Sequence, residues 1–414
     1  MRSEPLMPTV PAPRPRRSGF GRIAWLSAFL LALGPGVIGL SADNDAGGML
    51  SYLVSGASHS LALLVPALVL LGLPTMFIAW LALRVAQATH LPYSKALIAG
   101  LGAVPARLEA VALYVMNGII LVTEFLGMTL ALSFFGLPRI LSLLLAFTFV
   151  AVLTAGRIYT TMERLLLVVA VGSLLFIPAL VFVHPTLTAV GQAFTAKSPD
   201  DGFLVLALVG NAIPPWMIYW QQNAVWAGTA RTSRARLWDL ATGQVAMIVM
   251  AGTVLVLGAV VPGRESRWAS PLLWIDHDGG HVAATLFAIG LFDAGLLAAC
   301  TVSLSSLWTV REAMGRGATH PAEAPNRGTW RWVHLATLAA AAIVVLLPNL
   351  GVGSIVLWAQ AVGALWMPVS LVLLGLVASN RRLMGRAAIG RPVQALLLLM
   401  TLGYLVLAWV GTGL

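Results

Sequence analysis

Charged residues are scarce in this sequence. Only 10% of its 414 residues are Asp, Glu, Lys or Arg, whereas 59% are hydrophobic and the mean hydropathy is +0.90. A soluble domain carries about 25% charged residues, so the composition excludes the two or three soluble domains that a chain of this length would otherwise suggest. Cysteine is nearly absent as well. The single Cys300 lies in an apolar run, so no disulfide forms within the chain.

Apolar runs of about 20 residues, each long enough to cross roughly 30 Å of hydrocarbon, recur along the chain. We therefore predict an all-α integral membrane protein with eleven transmembrane helices. Residues 1–22, rich in proline and arginine, are predicted to form a basic, disordered cytoplasmic tail, and residues 23–414 a single transmembrane domain. The predicted spans, numbered 1 to 11, are 23–58, 61–87, 107–133, 139–156, 161–183, 202–228, 237–262, 281–310, 329–348, 353–378 and 393–412.

The basic residues predict the orientation of the chain. All but four of the 25 Lys and Arg fall in the N-terminal tail or near the ends of spans on the same side of the membrane; the exceptions are Arg139, Lys197, Arg264 and Arg267. By the positive-inside rule, the N-terminus is cytoplasmic and the C-terminus lies outside, in a multi-pass protein of the cell's inner (plasma) membrane. The net charge of +10 is expected to face anionic lipid headgroups rather than nucleic acid. No obligate protein partner is indicated.

Two predicted spans are interrupted in the middle. Span 1 contains the polar, glycine-rich segment DNDAGG at 43–48, and span 6 contains Pro214 and Pro215, which lack amide donors and prevent a continuous helix. Irregular backbone at this depth is tolerated only where it lines a cavity or is buried in protein. Paired breaks are typical of transporters built from inverted repeats. From this topology we predict one repeat over about 23–183, a second over about 202–378, and an extra helix at about 393–412.

The interruption in span 1 holds two acids, Asp43 and Asp45. Carboxylates and the carbonyl groups of unwound backbone supply the hard oxygen ligands that cations prefer. Span 1 contains no Lys or Arg to pair with these acids, and a buried unpaired charge is costly. A cation-binding site is therefore the favoured interpretation. Helix capping or packing by structural acids is the alternative.

Several stretches resemble motifs of the NRAMP divalent-metal transporters. GPGVIGLSADNDAGG (34–48) is similar to the family's first-helix pattern, GPG followed by DPGN, and Asp45 stands in the place of the family's aspartate. TEFLGMTLALSFFGLP (123–138) is similar to the third helix. AQAVGALWMP (359–368) and ASNRRLMG (378–385) are similar to the tenth helix and the loop after it. The resemblance implies a LeuT-type fold in which a metal ion is held between the unwound helices 1 and 6.

The same resemblance implies a set of metal ligands. Asp45 is a ligand, and Asn211 stands where the family offers a main-chain carbonyl. Gln360 aligns with a glutamine that approaches the metal; it binds directly or through water, or else it makes an interhelical hydrogen bond. Asp43 either contacts the ion or supports a residue that does. No cofactor is implied, because the metal ion is the transported substrate.

The sequence departs from the family pattern at positions that bear on the choice of metal. Gly48 stands where the DPGN motif has asparagine, and Pro214 and Trp216 stand where the sixth helix has methionine and histidine. A thioether ligand favours transition metals, and a wide, oxygen-lined pocket without it suits Mg²⁺, which dehydrates reluctantly. Met49 and Met217 are alternative sources of sulfur.

The residues that would carry protons also differ. The acidic pair of the family's third helix is reduced to Leu121 and Glu124, and Trp216 cannot titrate, so obligatory proton coupling is not expected. This pattern resembles the NRAMP-related magnesium transporters, a branch that carries Mg²⁺ and Mn²⁺ without proton coupling. Glu124 is either an ion relay or a neutral structural acid. Gln222 either lines a hydrated path or bonds a neighbouring helix. Asp293 has no assigned role.

The expected function is secondary transport of Mg²⁺, and also Mn²⁺, across the plasma membrane by alternating access. The alternatives are a proton-coupled Mn²⁺/Fe²⁺ symporter and a LeuT-fold amino-acid transporter; two acids at the break disfavour the latter, because it must bind a substrate carboxylate. The sequence contains no GxxxxGK[ST] motif, so ATP-driven transport by this chain alone is not expected. It also shows no catalytic set facing water, so no enzyme activity is expected.

Overall fold

A computed structural model describes residues 34–58, 60–155, 159–195, 202–212, 214–227, 232–261, 271–316, 328–347 and 351–412. All regular secondary structure within these ranges is helical. The predicted tail at 1–22 and the start of span 1 lie outside the described residues.

The described helices, in chain order, are α1 (Pro35–Ala42), α2 (Ala46–Ser58), α3 (Leu61–Thr89), α4 (Tyr93–Leu101), α5 (Ala103–Phe134), α6 (Arg139–Thr154), α7 (Tyr159–Val169), α8 (Phe176–Phe182), α9 (Leu187–Thr195), α10 (Gly202–Ala212), α11 (Trp216–Ala227), α12 (Ser233–Val260), α13 (Pro271–Gly279), α14 (His281–Ala313), α15 (Trp330–Val345), α16 (Val352–Ser379), α17 (Arg381–Met384) and α18 (Arg391–Thr412). Short 3₁₀ segments lie at Gly172–Leu175 and Gly385–Ala387. Helices α4, α9 and α13 lie in segments predicted as loops.

Seven helical segments in the described part of the chain are long and apolar enough to cross a membrane. The predicted membrane class is therefore confirmed, whereas the count of eleven spans stays a prediction. Spans 1 and 6 are missing from the seven because each is divided into two short helices. The seven segments are Leu61–Thr89, Ala103–Phe134, Thr161–Phe182, Ser233–Val260, His281–Ala313, Val352–Ser379 and Arg391–Gly411.

The predicted interruption of span 1 is confirmed, since α1 ends at Ala42 and α2 begins at Ala46. The amide of Ala46 donates to Glu124 Oε2 at 2.9 Å. In a continuous helix that amide would bond the carbonyl four residues earlier, at Ala42. The Glu124 side chain of α5 therefore accepts the hydrogen bond that the Ala42 carbonyl would accept in a continuous helix.

The interruption of span 6 is confirmed between Ala212 and Trp216. Pro214 and Pro215 have no amide hydrogen, so the carbonyls four residues earlier, at Gly210 and Asn211, lose the donors that a helix would give them. The Thr75 hydroxyl of α3 lies 2.9 Å from the carbonyl oxygen of Ala212 and donates to it. Main-chain oxygens at this break therefore lack helical hydrogen-bond donors, and a side chain of the neighbouring helix α3 donates to one of them.

Helix α2 packs against α12 at very short range. A Cβ atom at Gly56 would lie 1.9 Å from the Leu255 carbonyl oxygen, and one at Gly258 would lie 1.9 Å from the Leu53 carbonyl oxygen. Glycine is needed at both positions, because any side chain would force the two backbones apart. Small residues allow such close approach where lipid gives helices no hydrophobic reason to associate. The contact fixes α2, the second half of broken span 1, to the C-terminal part of α12.

Span 5 carries a third irregularity that the sequence did not predict. The prediction was one helix over 161–183, but α7 ends at Val169, a 3₁₀ segment follows, and α8 begins at Phe176. A Cβ atom at Gly172 would lie 2.3 Å from Asp293 Oδ1, and the Ser173 hydroxyl donates to Asp293 Oδ2 at 3.0 Å. Asp293 therefore binds the turn in span 5 from α14.

Candidate functional site

The two acids of the span 1 break differ in their contacts. Asp45 Oδ1 accepts a hydrogen bond from the Gly48 amide at 2.5 Å, so Asp45 caps the N-terminus of α2, where a carboxylate also interacts favourably with the helix dipole. Both carboxylate oxygens of Asp43 are buried and accept no hydrogen bond from the described residues. The side chains are nearly inaccessible, with 2% of Asp43 and 4% of Asp45 exposed. Capping, the alternative interpretation, thus accounts for one oxygen of Asp45 and for neither of Asp43.

Gln360 of α16 reaches the same carboxylate from far along the chain. Its Nε2 atom lies 3.0 Å from Asp45 Oδ1 and 3.2 Å from Oδ2 and donates to them. A Cβ atom at Gly47 would lie 2.9 Å from that nitrogen and 3.0 Å from Thr123 Oγ1, so the glycine lets both side chains approach α2. The predicted interhelical hydrogen bond is therefore present in this structure. If the terminal amide of Gln360 rotated about the Cγ–Cδ bond, its oxygen instead of its nitrogen would face an ion bound to Asp45.

Asn211 lies directly against the DNDAGG segment. A Cβ atom at Gly48 would be 2.0 Å from Asn211 Oδ1 and 2.5 Å from Nδ2. The space that Gly48 was expected to leave open is therefore filled by the Asn211 side chain. That side chain is 1% exposed, and neither its oxygen nor its nitrogen has a hydrogen-bond partner among the described residues. The amide oxygen as well as the main-chain carbonyl of Asn211 is thus available at the break.

The Glu124 side chain contacts the span 1 break through the backbone amide of Ala46. Besides the bond from Ala46, its Oε1 accepts a hydrogen bond from the Thr123 hydroxyl at 3.0 Å. Glu124 is fully buried on α5. It therefore lies next to the span 1 break, and this arrangement is compatible with either of its predicted roles.

These groups form an oxygen-rich set with few carboxylates. Among the described residues, no three His, Cys, Asp or Glu side chains come together at metal-binding distance. An ion at the break would therefore need Asp43 and Asp45 together with amide oxygens, main-chain carbonyls and water. Such hard oxygen donors suit Mg²⁺ and Mn²⁺. Met49 and Met217 are both buried.

The remaining predicted site residues lie on α11 or just before it. Pro214 and Trp216 are buried at the start of α11, where the Pro214 carbonyl accepts from the Met217 amide at 3.1 Å and the Trp216 carbonyl accepts from the Ser305 hydroxyl at 3.2 Å. Gln222 lies further along α11 and donates to the Leu91 carbonyl at 3.0 Å. The structure brings the first two to the break and ties Gln222 to the α3–α4 connection. A pathway role for Gln222 stays a prediction.

Asp239 of α12 is a functional candidate that the sequence analysis missed. Its Oδ1 accepts from the amides of Gly34 at 2.6 Å and Val37 at 3.0 Å, and its Oδ2 accepts from the amide of Gly36 at 2.8 Å. These amides form the first turn of α1, which has no capping side chain of its own. The available signal was a half-helix that begins at GPG without a local cap, together with one acid in span 7.

Trp220 closes the same end of α1. Its Nε1 donates to the Pro35 carbonyl at 3.1 Å, and its ring lies so close to Gly39 that a Cβ atom there would be 2.7 Å from Cδ1. The ring also packs against Trp308, with centroids 5.9 Å apart. Because Asp43 and Asp45 are also buried, we conclude that the break in span 1 is closed to solvent in this structure.

Comparison with known proteins agrees with the motifs. The model of the Nramp family, described as natural resistance-associated macrophage protein-like, matches residues 36–412. The divalent metal cation transporter MntH of Bradyrhizobium diazoefficiens is 24% identical over 303 residues; the match covers 66% of this chain and 65% of that protein, so the chain spans about two thirds of the relative's length.

The fold is similar to that of the Eremococcus coleocola manganese transporter, which was solved in complex with an aromatic bis-isothiourea substituted compound. The TM-score is 0.76 at 17% sequence identity, and the match covers 97% of this chain and 88% of that one. Mhp1, a nucleobase-cation-symport-1 family transporter solved in a closed conformation with bromovinylhydantoin bound, has a TM-score of 0.54 at 14% identity, covering 92% of this chain and 89% of that one.

At such identities the solved structures show the fold alone, whereas the family match spans most of the chain. The helical transporter fold implied by the first-helix, third-helix and tenth-helix motifs is confirmed. On the sequence match over residues 36–412, the chain belongs to the Nramp family.

Proposed function

We propose that this protein transports divalent metal ions, Mg²⁺ and also Mn²⁺, across the plasma membrane by alternating access. One observation carries the proposal: the Asp43 carboxylate and the Asn211 amide are buried beside Asp45 and have no hydrogen-bond partner among the described residues. A buried charge or amide without a partner is costly. A bound cation would remove that cost, because it would bind these oxygens directly or through its water shell.

The preference for Mg²⁺ rests on the donor types. Asp43, Asp45 and Asn211 offer only oxygen, and Pro214 removes the thioether that the family pattern places at the sixth helix. A set of hard, neutral and anionic oxygens suits Mg²⁺ and Mn²⁺ alike and gives no advantage to softer metals. We therefore assign the chain to the magnesium-transporting branch that its departures resemble, and expect weak discrimination between these two ions.

Transport without proton coupling is energetically sufficient. A divalent ion moving inward gains about 4.6 kcal/mol per 100 mV, twice the value for a single charge. At about 1.36 kcal/mol per tenfold, this supports a gradient of roughly three powers of ten. The proposed topology has eleven spans, broken spans 1 and 6, and a cytoplasmic N-terminus. The metal ion and the lipid bilayer are the proposed partners, with no cofactor.

A proton-coupled Mn²⁺/Fe²⁺ symporter is the second candidate. Glu124 favours it, because this acid bonds the Ala46 amide immediately beside Asp45 and is therefore positioned to exchange a proton when the metal binds. The two candidates differ in two observables: competition of Mg²⁺ with Mn²⁺, and proton entry that accompanies the metal.

The test is uptake of Mn²⁺ into liposomes that contain the purified protein and a trapped metal-sensitive dye. Rising external Mg²⁺ should inhibit the uptake, and a trapped pH dye should report no acidification. Failure of Mg²⁺ to compete would identify a transition-metal carrier instead. Stoichiometric proton entry would select the symporter.

Asp45→Asn tests the site itself. Asparagine is as good a helix N-cap as aspartate, so α2 should keep its cap while the site loses a charge. We expect folded protein without measurable divalent binding by calorimetry. The matched control is Asp276→Asn, which removes a half-buried acid of α13 that bonds His281. Unchanged affinity in Asp45→Asn would show that the ion binds elsewhere.

A further inference from the structure

A cavity of about 490 Å³ lies between the first turns of α5 and the end of α14, far along both helices from the metal site. Its volume falls in the range of about 300–1,000 Å³ that is usual for small-ligand sites. Two arginines line it, Arg107 from α5 and Arg316 from the segment after α14. Both lie on the side of the molecule where basic residues concentrate, which the positive-inside rule assigns to the cytoplasm.

Most of the guanidinium donors of the two cavity arginines are free to bind a ligand. Arg107 Nε lies 3.4 Å from the Ala313 carbonyl and donates to it, so the side chain is held across the cavity. Its two Nη groups, and the whole guanidinium of Arg316, have no partner among the described residues. Arg316 is bonded through its backbone: its carbonyl accepts from Arg311 Nε at 3.3 Å, and its amide donates to the Arg311 carbonyl at 2.9 Å.

The nearby described acids are already engaged by other groups. Glu312 pairs with Lys95 at 3.2 Å, and the Glu312 side chain is fully buried. Glu109 accepts hydrogen bonds from Ser370 Oγ at 2.6 Å and Trp366 Nε1 at 2.8 Å, on the opposite side of α5. Neither acid therefore neutralises the guanidinium groups of the cavity, and the site is complementary to an anion.

The rest of the lining is apolar and continues onto the lipid-facing surface. Val111 is 62% exposed and Met314 is 57% exposed, and both line the cavity with Val310. Val111 belongs to an exposed apolar stripe on α5 whose members are spaced by three or four residues and therefore share one face: Val104, Leu108, Val111 and Val115. A ligand in this cavity would have its charged part at the arginines and an apolar part along that stripe.

We propose that the cavity binds the phosphate headgroup of an anionic phospholipid in the cytoplasmic leaflet. Arg107 and Arg316 bind the phosphate oxygens, for which the planar guanidinium is suited. Val111, Val310 and Met314 contact the upper acyl chains. Basic pockets between membrane helices on the cytoplasmic side are a known form of lipid recognition. The opening onto the lipid-facing stripe selects a lipid over a soluble phosphate compound.

The experiment measures lipid retention by native mass spectrometry. The full-length protein is equilibrated in vesicles of phosphatidylcholine with phosphatidylglycerol, extracted, and scored for bound lipid. We expect retention of phosphatidylglycerol over phosphatidylcholine. Arg107→Gln with Arg316→Gln should weaken the retention about 25-fold, since each basic residue at the surface contributes roughly fivefold. Arg316→Gln alone, which removes no side-chain hydrogen bond to the described residues, should weaken it roughly fivefold and guards against misfolding of the double variant.

The matched control is Arg382→Gln with Arg386→Gln, two exposed arginines on the same side but outside the cavity. Equal retention in the control pair and the cavity pair would overturn the proposal, because general surface charge would then explain it. Full displacement of the lipid by soluble glycerol 3-phosphate at equal concentration would also overturn it, in favour of a soluble phosphate compound.

Discussion

Asp239→Asn should loosen α1, the first half of broken span 1. The Asp239 carboxylate of α12 accepts all three amides of the first turn of α1, from Gly34, Gly36 and Val37. Alternating access requires one bundle of helices to move against the other around the site. Because this contact joins α1 to α12, it must break or stretch if α1 moves away from α12. Asp239 is therefore expected to stabilise the closed state.

The size of the effect follows from the number of bonds. Hydrogen bonds to a charged group contribute about 1.5–3 kcal/mol each, and the helix dipole adds about 0.3–1 kcal/mol. Asparagine keeps one acceptor oxygen for Gly34 and Val37 but presents an amide donor to the Gly36 amide. The loss of one charged bond and of the charge–dipole term gives about 2–4 kcal/mol. At about 1.36 kcal/mol per tenfold, the closed state should lose roughly 30-fold to 900-fold in relative population.

The assay uses a cysteine introduced at Ile38, which is fully buried beside this contact. The natural Cys300 is buried as well, so it gives little background. Ile38→Cys should react slowly with a membrane-impermeant maleimide in the parent and much faster with Asp239→Asn. Asp278→Asn, which removes an acid near the end of α13 that is bonded to His277, is the matched control. Equal labelling rates in folded parent and variant would refute a closing role for Asp239.

Three further predictions concern single contacts. Gly48→Asn should weaken divalent binding about 5-fold to 150-fold by calorimetry, because overpacking against Asn211 costs about 1–3 kcal/mol, and Asn211→Ala in the same chain should restore part of it. Asp293→Ala should lower thermal stability by about 1–3 kcal/mol through loss of the Ser173 hydrogen bond, whereas Asp293→Asn should lose less; equal melting curves would contradict this. Glu124→Gln keeps an acceptor for Ala46, so uptake should persist if transport is uncoupled, and its loss would support the symporter.

Both breaks were predictable because their causes are local. Pro214 and Pro215 cannot donate to a helix in any surroundings, and the run from Asp43 to Gly48 cannot form an apolar helix in lipid. Hydropathy gave the seven long spans for the same reason, since length and composition are properties of the segment alone. These features follow from residues close together in sequence, so one sequence was sufficient.

The contacts that close the site were not predictable, because they join distant residues. Asp239 lies 203 positions from the Gly36 amide that it accepts, and the sequence gives no sign that the two meet. The turn in span 5 escaped for the same reason: Gly172 and Ser173 look like ordinary small residues of a membrane helix until Asp293 of α14 is placed against them. Asp293 had no assigned role because its partner is 120 positions away.

The structure also changes the argument about selectivity. Gly48 was interpreted as the loss of an amide oxygen, because the family pattern has asparagine there. Asn211 occupies that space from the opposite broken helix, and its side chain has no hydrogen-bond partner in the described part of the chain. An amide is therefore still present at the break, contributed by α10 rather than α2. The substitution that still distinguishes this site from the family pattern is the proline at position 214, which supplies no thioether. Selectivity should accordingly respond to Pro214 more than to Gly48, because an asparagine at 48 would compete with Asn211 for the same space.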